Sequence, residues 1–199
     1  MALKLITPPA ITPVSLAEVK NHLRVDHDAD DLLIQTYIKA ATAFVEGPGG
    51  FLGRALCEQT WDLVIDEFPA DAIQIPLPPL IEIVHIKYDD GNGDELTLDL
   101  GDVTIDTDSE PGWIIHGGAW PSNLYNGVNA VRVRFIAGYS SGASPEVSEV
   151  PENIKVALLL HIGSMYAHRE DVIVGQAVSA MPRSSEMLLR RHRLQVGMA

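Results

Sequence analysis

Cysteine is nearly missing from this 199-residue chain: Cys57 stands alone, which excludes an internal disulfide and fits a reducing compartment. Basic residues are scarce as well, 14 Lys and Arg against 27 Asp and Glu, for a formal charge of −13. A body this acidic is unsuited to wrapping duplex DNA, where affinity comes from neutralising phosphates; its plainest use is solubility. Aromatics make up only 6% of the residues. No basic groove accompanies Trp61, Trp113 and Trp120, so they read as core residues rather than base-stacking platforms. No cationic stretch followed by an apolar run opens the sequence, and no secretory leader is expected. Val150–Arg169 is nominally long enough to cross a bilayer, but Glu152, Lys155, His161, His168 and Arg169 interrupt it, so no membrane partner is expected.

The usual constellations of catalysis are missing too. Gly49–Gly53 has neither the Gly-Lys-Ser/Thr of a Walker loop nor a dinucleotide fingerprint. Ser140-Ser141-Gly142 lacks the spacing of a nucleophile elbow. His161 and His168 lie seven apart, where a zincin pair needs four with a Glu beside the first. His161, between Leu160 and Ile162, reads as a hydrogen-bonded interior histidine, and Cys57, in a strand pattern, as inert packing. One stretch imitates a metal site: in DHDADD (26–31), Asp26, Asp28 and Asp30 resemble the opening of a calcium loop. Position six is Asp31 rather than Gly, however, and position twelve is Tyr37 rather than Glu. The expectation is instead that Asp28 or Asp30 caps the following helix. No catalytic, cofactor or metal residue is assigned. Two other classes stay as alternatives: a metal-dependent hydrolase using Asp26–Asp31, and a monomeric β-type module that binds a carbohydrate or a protein partner.

What is present is patterned. Val150–Arg169 begins with Pro151 where a first helical turn accepts it, and Ile154, Ala157, Leu158, His161/Ile162 and Met165 share one face. Val156, Leu159 and Leu160 add apolar groups elsewhere, so this central helix needs cover nearly all round, from its own chain, a neighbouring subunit, or both. Residues 1–13, with three prolines, read as an extended arm. Ser15 and Glu18 form a capping box, with Val14 and Val19 as its staple, opening a short helix whose apolar face is Leu16, Val19 and Leu23. A second helix, about Ala29–Glu46, carries Leu33, Tyr37, Ala41 and Phe44 on one face with Ile34, Ile38 and Val45 beside them, and stops in Gly47-Pro48-Gly49-Gly50.

From Leu56 the period changes to two, at Trp61/Leu63/Ile65, Ile73/Ile75/Leu77, Ile81–Tyr88, Leu96/Leu98/Leu100, Trp113–His116 and Val131/Val133/Phe135. The prolines at 76, 78 and 79 confine the second of these to an edge. A parity slip between Ile83 and Val84 predicts a bulge, and Asp89–Glu95 a hairpin turn. About six strands between helical regions give an α+β fold: a helical core with an inserted antiparallel sheet or small barrel. The expected divisions are 1–55 (helical), 56–139 (β insertion) and 140–199 (central helix and tail), the first and last packing as one helical domain. The tail ends in a short basic helix, about Ser184–Arg193. Charge reverses near that end: 24 of the 27 acids but only 9 of the 14 Lys and Arg precede Met165.

The order of these segments resembles a known family. SLAEVKNHLRVD followed by DDLLIQTYIKAATAFVE is similar to the opening of tailed-phage head–tail connector (adaptor) proteins. GRAL and QTWDLVIDEFP follow, then IQIPLPPLIEIVHIKYDDGNG, Trp120-Pro121, VRVRFIAGY, VPENIKVALLLHIGSMYAHRED and a terminal LLRRHR. The resemblance spans most of residues 15–193; similar proteins occur in gene transfer agents. It implies a non-enzymatic ring, usually of twelve subunits, beneath the portal in the neck of a virion or phage-like particle assembled in the bacterial cytoplasm. Such a ring joins the portal to a tail or stopper protein and surrounds a channel through which DNA passes without sequence-specific binding. The RRHRLQVGMA ending runs past the family's usual arginine.

A helix apolar on most faces suits a heterologous ring, with Leu33, Tyr37, Ile38, Leu158, Ile162, Met165 and Tyr166 expected at subunit contacts. Arg183, Arg190, Arg191 and Arg193 fall in a segment too short to fold alone. They are expected to dock on the portal, arginine forks being suited to carboxylates. On that reading, removing Ser184–Ala199 leaves the body's thermal unfolding nearly unchanged.

Overall fold

The first β element lies at the start of the chain, where the sequence suggested only an extended arm. In the computed structural model, which describes residues 1–140, 142, 148–169 and 183–194, the extended arm includes a strand, β1 (Ala2–Thr7), paired antiparallel with β2 (Gln59–Ile65). Six further strands follow: β3 (Ala72–Ile75), β4 (Leu80–Asp89), β5 (Glu95–Leu98), β6 (Val103–Asp106), β7 (Gly112–His116) and β8 (Val131–Ala137). They form two antiparallel sheets, ordered β1-β2-β8-β4-β5 and β3-β7-β6. Four helices complete the described chain: α1 (Leu16–Leu23), α2 (Asp31–Val45), α3 (Glu152–Ala167) and α4 (Arg183–Arg190). The chain divides into two compact units: a β unit of Met1–Ala10 and Cys57–Tyr139, and a helical unit of Ile11–Leu56 and Ser140–Ala199.

In the β unit, alternation does the sorting. Trp61 and Leu63 on β2 and Val131, Val133, Phe135 and Ala137 on β8 are buried, while the residues between them turn to the other face. There Arg134 sits directly opposite Asp62 in the ladder and donates to it from Nε and Nη2 at 2.8 and 2.9 Å. Arg132 pairs with Asp89 and Glu95, and Lys87 reaches Glu95 at 2.6 Å. The expected bulge is present: the β4–β8 register shifts between Ile83 and His85, and again between Leu80 and Glu82. The Asp89–Glu95 hairpin joins β4 to β5, and β3 is an edge strand. A Cβ at Gly112 of β7 would crowd the Asp106 carbonyl oxygen at 3.0 Å and Leu80 Cδ2 at 2.7 Å.

These ion pairs set an acid sensitivity. The Arg134 guanidinium holds Asp62 below the usual carboxylate range, and Arg132 does the same for Asp89. A carboxylate lowered by folding adds stability above its unfolded value of about 3.9, and that stability is lost as pH falls through the lower folded value. The β unit should therefore lose stability below about pH 4, and Asp62→Asn should flatten that loss. Tryptophan fluorescence during urea unfolding at pH 6 to 2 measures it. An unchanged slope in Asp62→Asn would remove the pair from the account.

In the helical unit, α1 opens on the capping box expected of it: Ser15 Oγ accepts from the Glu18 N–H at 3.2 Å, and the Ser15 N–H donates to Glu18 at 2.7 Å. Arg24, at φ 57, ends the helix in the left-handed region. α2 stops at Glu46, before Gly47 at φ +86. α3 buries Ile154, Ala157, Leu158, His161 and Ile162, the face its spacing predicts. Each fully buried aliphatic contributes about 1.5–3 kcal/mol, whereas an exposed ion pair contributes about 0–1 kcal/mol. The apolar face of α3 therefore decides the stability of this unit.

Candidate assembly surfaces

Three of the expected subunit contacts are not available. Ile38, Leu158 and Ile162 are buried inside the helical unit, because α1, α2 and α4 all pack on α3 or on one another. Leu33, Tyr37, Met165 and Tyr166 stay half-buried. On α2 the core face is Ile34, Ile38, Ala41, Thr42 and Val45, about one residue round from the Leu33/Tyr37/Phe44 stripe. The helix carries two adjacent apolar stripes, and spacing alone does not rank them.

What α2 leaves outward is Leu32, Gln35, Thr36, Lys39, Ala40, Ala43 and Phe44. Leu32 is 78% exposed and Phe44 43%. Val156 on α3 and Met187 on α4 are also exposed. Leu32, Phe44 and Val156 lie on the two helices whose sequence suggested subunit contacts, and Met187 is the one that the sequence did not single out. Leu32 and Phe44 belong to the α2 pattern, and nothing in that pattern separates an outward position from an inward one.

The acidic run at 26–31 does not cap α2: Asp30 is the N-cap residue but makes no side-chain bond to the helix backbone. Its carboxylate instead accepts from the Tyr166 hydroxyl and lies 3.3 Å from Arg169 Nη2. The Tyr166 bond is the main reason the Asp30 value is lowered and the Tyr166 value raised. Lys20 takes Asp28 and Asp31 at 2.6 and 2.7 Å. The carboxylates at 28, 30 and 31 thus reach Lys20 on α1 and Tyr166 and Arg169 at the end of α3. Among the described residues, no group of three His, Cys, Asp or Glu could hold a metal ion, and no helix is long and apolar enough to cross a membrane.

His161 is interior but lacks the expected bond at one nitrogen: Nδ1 has no partner, and the ring stacks on Phe44 at 5.5 Å between centroids. Burial lowers its value from the ordinary 6.5. The unfolded chain then binds the proton more readily, so the helical unit should lose stability as pH falls from about 6.5 through the folded value. His161→Phe, which keeps the stack, should remove this slope between pH 7 and 5 in chemical unfolding. A slope that survives the change belongs to other groups. Cys57 is buried, and His168 is exposed.

The C-terminal arginines divide. α4 packs against α3, with Ser185 and Leu189 buried, and the Leu194 N–H donates to the Leu52 carbonyl at 3.0 Å. Arg190 pairs with Glu186 at 2.8 Å, and Arg193 lies over the Phe51 ring at 5.1 Å. Arg183 and Arg191 are exposed and enter no ion pair or hydrogen bond among the described residues. The tail helix therefore packs on the chain's own body, where its short length alone had suggested that a partner surface would be needed.

Residues 13–93 match the family model of the phage gp6-like head-tail connector proteins. No curated protein matches the chain. Among solved structures, a chain in the neck of an empty GTA particle, computed with C6 symmetry, is similar at 25% identity and a TM-score of 0.77. The likeness covers 97% of this chain and 95% of that one. The same figures hold for a chain in the virion of the native gene transfer agent particle. A chain in the native GTA neck, computed with C12 symmetry, shares the fold at 23% identity and a TM-score of 0.73. The chain is thus similar to the phage gp6-like head-tail connector proteins over residues 13–93, and its fold is similar to that of GTA neck chains over 97% of its length.

Proposed function

We propose that this protein is a structural head–tail connector, a ring beneath the portal that joins the capsid to the tail and surrounds the DNA channel. The observation that carries this reading is the end-to-end likeness to GTA neck chains, 97% of this chain on 95% of those. A ring of twelve agrees with the C12 symmetry of one such neck. The role is non-enzymatic, at the neck of a virion or phage-like particle assembled in the cytoplasm. Its partners are further copies of itself, the portal, and a tail or stopper protein. Particles lacking it should accumulate as heads and tails left unjoined, and electron microscopy of the protein with purified portal should show a ring on the portal. A monomer in that mixture, or complete particles without the protein, would overturn the reading.

Within the ring, the outward apolar residues Leu32, Phe44, Val156 and Met187, flanked by the half-buried Leu33, Tyr37, Met165 and Tyr166, supply the subunit contacts. Arg183 and Arg191, rather than all four arginines, reach the portal. Leu32→Glu and Val156→Glu lie on the surface, so each should change stability by no more than about 0.5 kcal/mol yet block neck formation. Complete necks from these variants would leave the helices as internal core only.

A further inference from the structure

The β unit holds most of the chain's negative charge: 4 Lys and Arg against 15 Asp and Glu, a formal −11 of the total −13. On its sheets three of these acids, Asp62, Asp89 and Glu95, are taken by Arg134, Arg132 and Lys87. Two others, Glu67 and Asp71, border a cleft. With Phe68, His116, Trp120 and Pro121 they line a volume of about 440 Å³. That lies within the range of roughly 300–1,000 Å³ for pockets that enclose a ligand.

The cleft's aromatic side is built and fixed. Phe68 and Trp120 stack nearly parallel, 7° apart with centroids at 4.8 Å, and His116 leans on Trp120 at 5.0 Å. Tyr88 supports Phe68 edge-on at 5.7 Å. The His116 ring is held by the Gly118 N–H, which donates to Nδ1 at 2.9 Å. Phe68 and Trp120 both stay half-exposed, and beside them Glu67 and Asp71 are exposed. Neither carboxylate makes an ion pair or hydrogen bond among the described residues. Ile115, next to His116, is 48% exposed and sits opposite Ala72 on β3, one residue from Asp71.

We infer that this cleft receives an arginine side chain on an extended segment of a partner protein. A guanidinium lies flat on aromatic rings, where the ring quadrupole attracts it, while its N–H fork donates to carboxylates at the rim. Both halves of that recognition are present, and the unit's negative field favours a cationic visitor and repels nucleic acid. The volume leaves room for the arginine's own backbone, and Ile115 offers apolar contact to a neighbouring side chain. This assignment stands independently of the connector reading and concerns a different surface from the helices.

The test uses the full chain and a blocked Gly-Ala-Arg-Ala-Gly peptide, following the indole N–H resonance of Trp120, identified by its loss in Trp120→Phe. The arginine peptide should shift it saturably. Replacing arginine by citrulline, which keeps the shape but removes the charge, should weaken binding about fivefold or more. The double change Glu67→Gln/Asp71→Asn should weaken it similarly, and unchanged Trp61 and Trp113 resonances would verify its fold. A shift that does not saturate, equal binding of the citrulline peptide, or full binding by the double variant would each overturn the assignment.

Discussion

Truncation ahead of Ser184 should lower the unfolding free energy of the helical unit by at least the cost of one buried Leu→Ala change, about 2–5 kcal/mol. The helix it removes is not an appendage. Leu189 is 1% exposed and Ser185 fully buried, α4 packs on α3, and Leu194 hydrogen-bonds to the Leu52 backbone. Arg54 adds a bond from its Nε to the His192 carbonyl, and the Arg193 guanidinium covers Phe51. Deleting the segment opens all of these at once. Chemical unfolding of the truncated chain, followed by circular dichroism at 222 nm, measures the effect. The point variant Leu189→Ala should reproduce much of the loss with the arginines intact, so a loss of portal binding on truncation cannot by itself be assigned to Arg191. A truncated chain as stable as the full one would mean that α4 contributes nothing to the core.

Gly138→Ala should be as damaging as any single change in the β unit, at or beyond the roughly 4–5 kcal/mol that marks exceptional substitutions. Gly138 follows β8 at φ +126, a region L-residues rarely enter, and a Cβ there would stand 2.2 Å from the Cys57 carbonyl oxygen. The obstacle is backbone, with the Glu58 nitrogen at 2.8 Å behind it, so no rotamer change relieves it. The turn is also tied, since the Gly138 N–H donates to the Pro79 carbonyl at 2.9 Å. Gly93 is the control: its φ is +89 but a Cβ would meet nothing within 4 Å, and Gly93→Ala should cost only the left-handed backbone, about 1–2 kcal/mol. Soluble yield and urea midpoints of the two variants separate clash from conformation. Equal losses would show that the close approach at Gly138 relaxes freely.

Much of this fold could be read from residues with local rules. Ser15 and Glu18 cap α1 whatever lies around them, the parity slip at Ile83 forces a bulge, and the alternation from Trp61 to Ile65 leaves one face inward. β1 and β6 escaped because their partners are remote or their pattern short: Ala2–Thr7 sits among prolines, and Val103–Asp106 offers two inward residues between acids. The acidic run misled for a related reason. Whether Asp30 turns to its own helix or to Tyr166 depends on a residue 136 positions away, which no spacing rule contains. The proposed assembly surface was partly legible, as a helix pair. The outward places of Leu32 and Phe44 depend on which of two apolar stripes the rest of the chain covers.

The strand order also has a consequence during synthesis. β8 lies between β2 and β4, so the middle of the five-stranded sheet is the last of its strands to leave the ribosome. Thr7 and Val131 stand over 120 residues apart, and at about 5–20 residues per second the earlier strands wait on the order of ten seconds for their centre. Until then Trp61, Leu63, Ile83 and Ile86 have no completed sheet to be buried in, while α1 and α2 emerge before α3 as well. A nascent chain with both units unfinished is a natural client for chaperones that shield apolar segments, and slowing translation before Val131 should increase its aggregation.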